Sequence, residues 1–203
     1  MRFLCFSDLH GGVPDLTVPV RPDALIFAGD LGVAARKIAE LFPGVPVFGV
    51  PGNHDDLANP FCGAPVTNLH GKVVEFKGLR IGGLGGSLRY KPGGRWLFWD
   101  SEYAEILDGM PPVDIFVSHC PPVGLPWCDP PVGDRWHDPH EGSVSLAEYV
   151  SRMGPAVLIC GHLHVRGEFR LGRTLVRQVH GVELLELRKF GLRAGAAGVD
   201  GNW

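Results

Sequence analysis

Five short stretches of the chain carry side chains of the types that can bind metal ions: Asp8-Leu9-His10, Gly29-Asp30, Gly52-Asn53-His54-Asp55, His119, and Gly161-His162-Leu163-His164. Carboxylate oxygens, imidazole nitrogens and an amide oxygen are the donors that borderline divalent cations accept. Two such groups spaced two residues apart, as in Asp8 and His10 or His162 and His164, can be aimed at one cation by an extended or turning backbone. Each stretch taken alone also has a plain structural explanation. An aspartate after a strand is a common turn former, and a lone histidine at a strand end commonly just satisfies backbone hydrogen bonds. Turn preferences alone do not account for all five in one chain.

The elements that position these groups are legible as apolar runs. Residues 2–7, 24–29, 47–50, 113–118 and 156–160 are short, β-rich and apolar without strict alternation, the pattern of strands buried on both faces. Each ends in one of the five polar stretches. Segments 33–41, 101–110 and 143–153 have helical spacing. The result is an α/β alternation, and in such sheets ligand sites form beyond the carboxyl ends of the strands. A second group, 73–76, 80–84, 168–171, 174–178 and 183–187, reads as antiparallel hairpins and predicts a second or mixed sheet.

Composition narrows the class. The chain has 203 residues, 45% hydrophobic and 20% charged, which suits one soluble domain. We expect that domain over residues 1–190, followed by a Gly/Ala-rich tail over 191–203. Gly 29 and Pro 18 predict many turns and ordered loops. The 121–142 stretch, rich in Pro, Gly, Trp and His, is long enough to expect a functional loop bordering the site. A net charge of −3 offers no basic field for nucleic acid or an anionic membrane. No apolar run is long enough to span a bilayer. Five cysteines without a CxxC pair predict free, buried thiols and, with no signal segment at the start, a cytoplasmic protein.

The five stretches, in this order, resemble the calcineurin-like binuclear metallophosphoesterases, whose blocks run D-x-H, G-D, G-N-H-[D/E], H and G-H-x-H. The 119–122 and 140–143 segments, and Gly85-Gly86-Ser87-Leu88-Arg89-Tyr90, are similar to the small cap-less bacterial, Icc-like members, where the role of the last stretch is not evident from the residues. The resemblance implies two mixed β-sheets packed face to face with helices outside. It also implies two divalent metal ions. One would be held by Asp8, His10, Asp30 and His164, the other by Asp30, Asn53, His119 and His162, with Asp30 bridging. The mixed oxygen and nitrogen donors favour manganese, with iron or zinc as alternatives.

Two ions about 3.5–4 Å apart would activate a water and neutralise the phosphoryl oxygens during in-line attack. His54 follows the ligand Asn53 and is the candidate general acid or phosphate stabiliser. Asp55 is expected to hydrogen-bond the His54 imidazole, with Asp56 as the competing candidate. His137 and His140 are expected to pack or face solvent, His70 and His180 carry no assigned role, and Arg89 and Arg135 stay outside the site. The function expected is hydrolysis of small phosphate esters or nucleotides, as a phosphodiesterase first and a broad phosphomonoesterase second. A scaffold that keeps the fold without catalysis is a third reading, disfavoured because all seven ligand positions and His54 are intact. A nuclease would want a basic surface that this composition lacks.

Overall fold

Along each of the apolar strands, alternate residues point to opposite faces, and both faces are covered. In the computed structural model, which describes residues 1–16, 21–128 and 138–187, Phe3 and Cys5 turn one way while Leu4 and Phe6 turn the other, all buried. The elements in chain order are β1 (Arg2–Ser7), β2 (Ala24–Ala28), α1 (Ala34–Leu41), β3 (Val47–Val50), β4 (Val66–Asn68), β5 (Lys72–Phe76), β6 (Leu79–Leu84), β7 (Ser87–Leu88), β8 (Leu97–Phe98), α2 (Asp100–Asp108), β9 (Ile115–Ser118), α3 (Val144–Met153), β10 (Val157–Cys160), β11 (Gly167–Leu171), β12 (Thr174–Gln178) and β13 (Gly181–Glu186).

The strands form two large mixed sheets and one small ribbon. The first sheet has the order β13-β1-β2-β3-β4 and the second β11-β12-β10-β9-β6-β5, with β7-β8 apart. Strands β1 to β4 are mutually parallel, as are β6, β9, β10 and β12. Antiparallel strands form three of the four edges, β13 on β1, β5 on β6 and β11 on β12, and the fourth is the parallel β4. Three apolar layers hold the stack. Between the sheets lie Phe3, Ile26, Val50, Ile81, Val117, Ile159 and neighbours. Outside the first sheet, Leu25 and Phe27 pack on Ala34, Ala35 and Ile38 of α1. Outside the second, Phe116 and Leu158 pack on Tyr103 and Leu107 of α2 and Leu146 and Tyr149 of α3. The architecture is the expected two-sheet sandwich with helices on the outside. Truncating a central residue such as Ile26 to alanine leaves a cavity that costs about 2–5 kcal/mol.

Helix boundaries follow local chemistry. Ser143 caps α3 by accepting the Leu146 N–H at 3.0 Å, and Asp100, the first residue of α2, accepts Ser143 Oγ and Ser145 Oγ at 2.6 Å each. The two outer helices on the second sheet are thereby tied end to end. Glu102 closes the start of α2 by accepting the Trp99 N–H at 2.7 Å.

Two parts of the strand assignment need correction. The 183–187 run does not join the hairpin group of the second sheet; it lies antiparallel along β1 as the edge of the first. The five site-bearing strands also do not share one sheet, since β1, β2 and β3 belong to the first and β9 and β10 to the second. Strands β4, β7 and β8 were not legible as runs. Residues 188–203, with the tail expected over 191–203, and the central part of the 121–142 loop, 129–137, lie outside the described residues. No described helix is long and apolar enough to cross a membrane. All five cysteines are free thiols, as expected, but only Cys5, Cys120 and Cys160 are buried, and Cys62 and Cys128 are half-buried.

Candidate metal centre

Beyond their last residues the parallel strands stay zipped together, which carries their polar ends into a common cleft. Asp8 N–H bonds the Gly29 carbonyl at 3.1 Å, His10 N–H the Asp30 carbonyl at 2.9 Å, and His119 N–H the Leu84 carbonyl at 3.2 Å. Between these bonds the backbone turns sharply. Asp8, His10, Asp30, His162 and His164 all have φ between 46° and 78°, in the left-handed region that side chains other than glycine seldom enter. Such conformations cost of order 1–3 kcal/mol each and persist where surrounding structure enforces them, typically at functional sites. The glycine before Asn53 is required by space: a Cβ on Gly52 would overlap the Asp30 carboxylate.

The side chains converge in two groups. Asp8, His10 and His164 form one, with His10 Nε2 and His164 Nε2 3.2 Å apart and His164 Nε2 3.9 Å from Asp8 Oδ1. Asp8, Asp30 and His119 form the other, with His119 Nε2 3.3 Å from Asp30 Oδ2. Asn53 Oδ1 lies 3.1 Å from the same His119 nitrogen, and the His162 ring sits 5.0 Å from the His119 ring.

Hydrogen bonds on the far side of the rings settle which nitrogens face the cleft. His119 Nδ1 donates to the Ala28 carbonyl at 2.8 Å, leaving Nε2 as the donor atom for a cation. His162 Nε2 donates to the Pro139 carbonyl at 2.6 Å, leaving Nδ1. Backbone carbonyls that fix a ligating imidazole in this way are a recurrent feature of metal sites. Asp8 receives the His162 N–H on both oxygens, at 3.1 and 3.0 Å, and Asp30 Oδ1 receives the His54 N–H at 2.8 Å.

The electrostatics ask for positive charge. Burial pushes the Asp30 carboxyl up, but the adjacent His119 imidazole and the His54 N–H outweigh it and hold the group well below the usual carboxylate range. Burial pulls His119 down, yet the Asp30 carboxylate pushes it to about 9. His162 is held to about 3 by burial and by its neighbour His119, and burial raises Asp8. Two buried carboxylates at 4% and 2% exposure are thus balanced by a shared positive charge. A divalent cation supplies the same charge with better directionality, so the residues present fit the metal ions that the motif order implies.

The seven expected ligands therefore gather at one place, and Asp30, Asn53, His54, His162 and His164 line a cleft of about 180 Å³. The His54 ring faces that of His10 at 5.2 Å. Asp55 departs from expectation. Its carboxylate accepts backbone N–H groups from Gly52 and Asp30 at 2.8 Å and from Gly32 at 3.1 Å. It therefore holds the loops after β2 and β3 together instead of orienting the His54 imidazole. Asp56 caps its own turn, accepting from Ala58 and Asn59. Arg89 donates to the Leu97 carbonyl at 2.5 Å and stacks over Trp99, so it is structural. His137 and Arg135 lie outside the described residues.

His140, expected only to pack or face solvent, lines the cleft, as does Tyr90, the last residue of the Gly85–Tyr90 stretch, to which no role was given. His180, which also carried no role, stacks its ring on that of His164 at 5.3 Å. A roomier groove of about 380 Å³ between α2 and α3 contains none of the strand-end residues.

Comparison with known proteins bears directly on this geometry. The family model for calcineurin-like phosphoesterases matches residues 1–166. The chain belongs to the calcineurin-like phosphoesterase family. All five strand-end stretches fall inside that match. Among solved structures, TT1561 of Thermus thermophilus is similar with a TM-score of 0.63 and 16% identity, covering 92% of this chain and 99% of that one. Phosphopantetheinyl hydrolase from Mycobacterium tuberculosis is similar with a TM-score of 0.60 and 17% identity, covering 88% and 89%. At these identities the likeness is one of fold. No curated protein matches the chain. The family implies divalent metal ions and small phosphorylated substrates, in agreement with the donor groups found here.

Proposed function

We propose that this member of the family is a metal-dependent phosphodiesterase acting on small phosphate esters or nucleotides, with a broad-specificity phosphomonoesterase as the alternative. The observation that carries the reading is the convergence of Asp8, His10, Asp30, Asn53, His119, His162 and His164 from two sheets, with His54 at the same cleft. When bound by these residues, a pair of divalent ions, manganese by preference, would supply the hydrolytic water in activated form and neutralise phosphoryl charge. On this reading Asp30, which receives the His54 N–H on one oxygen and faces His119 with the other, is the bridging carboxylate, with Asp8 the carboxylate that the two side-chain groups share. His54, exposed beside this group, is the residue to protonate the departing oxygen or to stabilise the phosphoryl group.

Among the described residues the cleft is open, which suits small esters of varied shape. The fold shared with a phosphopantetheinyl hydrolase is in keeping with hydrolysis. Free buried thiols are in keeping with a cytoplasmic location.

The test is hydrolysis of bis(p-nitrophenyl) phosphate and p-nitrophenyl phosphate by metal-stripped protein with and without Mn²⁺, beside Asp30→Asn. Mn²⁺-dependent cleavage of the diester, lost in the variant, supports the reading. Cleavage of the monoester alone would replace it with a phosphatase. No turnover of either by folded, metal-loaded protein would replace it with a scaffold.

A further inference from the structure

The Gly85-to-Tyr90 stretch has a structural purpose that the metal ligands do not account for. Gly86 N–H bonds the Pro51 carbonyl at 2.8 Å, fastening the stretch to the residue before Gly52 and Asn53. A Cβ on Gly86 would overlap the Trp96 carbonyl, so the stretch lies flat against the returning segment. The ribbon β7-β8 then pairs Ser87 with Leu97 and Leu88 with Phe98, and Arg89 N–H bonds the Phe98 carbonyl at 2.9 Å. The Arg89 guanidinium adds a bond to the Leu97 carbonyl and packs over Trp99. This frame delivers Tyr90 to the edge of the metal cleft.

There the Tyr90 hydroxyl accepts the Asn53 Nδ2 hydrogen at 3.3 Å, while Asn53 Oδ1 faces His119 Nε2 at 3.1 Å. An amide can present either its oxygen or its nitrogen to a cation site, and only the oxygen is a ligand. A phenol oxygen that accepts from Nδ2 holds the productive face inward. Its own O–H proton is not used by that bond, and Tyr90 lines the cleft with His54, His140 and His162.

We infer that Tyr90 is a positioning and substrate-binding residue: its hydroxyl locks the Asn53 amide with the oxygen toward the metal and donates its proton to a phosphoryl oxygen of the ester. The second half rests on the proposed phosphoesterase reading; the first does not. Loss of a partner that orients a ligand weakens metal affinity about 10–100-fold, and loss of a hydrogen bond to a charged oxygen costs about tenfold or more in kcat/KM.

Calorimetric titration of metal-stripped protein with Mn²⁺ tests the first half. Tyr90→Phe should bind one of two ions at least about tenfold more weakly, with the thermal midpoint of the stripped protein unchanged. In an Asn53→Ala background the same substitution should cost nothing further, because it acts through that amide. Wild-type affinity in Tyr90→Phe, an undiminished loss in the Asn53→Ala background, or failure of the wild type to take a second ion each overturns the positioning role. With Mn²⁺ saturating, a raised KM for bis(p-nitrophenyl) phosphate supports the donor role, and an unchanged kcat/KM removes it. A wild type that binds two ions and hydrolyses nothing sinks the esterase reading and the donor role, while the titration still decides the positioning role.

Discussion

The carboxylate of Asp55 accepts the backbone N–H of Asp30 at 2.8 Å, joining the turn after β3 to the turn after β2. The same oxygen takes the Gly52 N–H, and its partner oxygen takes the Gly32 N–H. One buried side chain thus satisfies three amides in two of the loops that carry proposed metal ligands. Replacing Asp55 with alanine strands those donors, and each unsatisfied buried group costs about 1–3 kcal/mol. Chemical denaturation should show a loss on the order of 3 kcal/mol or more, together with weaker Mn²⁺ binding. Unchanged stability, with turnover lost only on substrates with poor leaving groups, would return Asp55 to the role of partner to the His54 imidazole.

His54 is held by its backbone on Asp30 while its ring stays exposed beside His10. His54→Ala should therefore keep the metal content and lower turnover about 10²–10⁴-fold on esters with poor leaving groups, with a smaller effect on p-nitrophenyl esters. Metal analysis of the purified variant is the check. Loss of an ion would make His54 a ligand.

Gly52 binds nothing through a side chain, yet alanine there would press on the Asp30 carboxylate. Gly52→Ala should reduce metal occupancy as measured by atomic spectroscopy even though no donor atom has been removed. Full occupancy would mean that the turn shifts to make room.

His70 lies away from the metal ligands, with Nδ1 accepting the Gly85 N–H at 2.9 Å and its ring stacked on Phe98 at 5.4 Å. Burial, with Lys72 adding to it, lowers its pKa, so the folded state keeps it neutral. In the unfolded chain it takes a proton near pH 6.5. The unfolded state then binds more protons, and this contribution to stability is lost as pH falls below that value toward the folded pKa. Wild-type protein should lose more unfolding free energy than His70→Phe between about pH 7.5 and 5.5. Equal losses would mean that His70 is protonated in place without breaking its bond.

The strand-end stretches and their order could be read from the sequence because each is local: an apolar run, a turn and a donor within a few residues. The helices 33–41, 101–110 and 143–153 were legible for the same reason, and α1, α2 and α3 fall within them to a residue or two. Which sheet a strand joins is a long-range matter. The 181–186 strand has the composition of a hairpin arm, and only the docking of the two sheets puts it beside β1, at the other end of the chain. Strands of two or three residues, such as β4, β7 and β8, have too few positions to show a period. Tyr90 and His140 reach the cleft through loop paths that no spacing rule encodes. Asp55 stands in the most recognisable stretch of the chain, yet its target was misjudged because backbone amides carry no sequence signature.

The division of the proposed ligands between two sheets has a consequence for how the protein reports on itself. Asp8, His10, Asp30 and Asn53 come from one sheet, and His119, His162 and His164 from the other. Neither half is a complete chelator. An ion held across the junction would act as a rivet whose strength depends on how squarely the two plates meet, and by mass action it would return stability to the joint at RT ln(1 + [L]/Kd). Metal affinity is then a gauge of the packing between the sheets. A substitution in that apolar seam, such as Ile26→Val or Val117→Ala, remote from every donor atom, would register as a change in the Mn²⁺ titration well before the fold gives way.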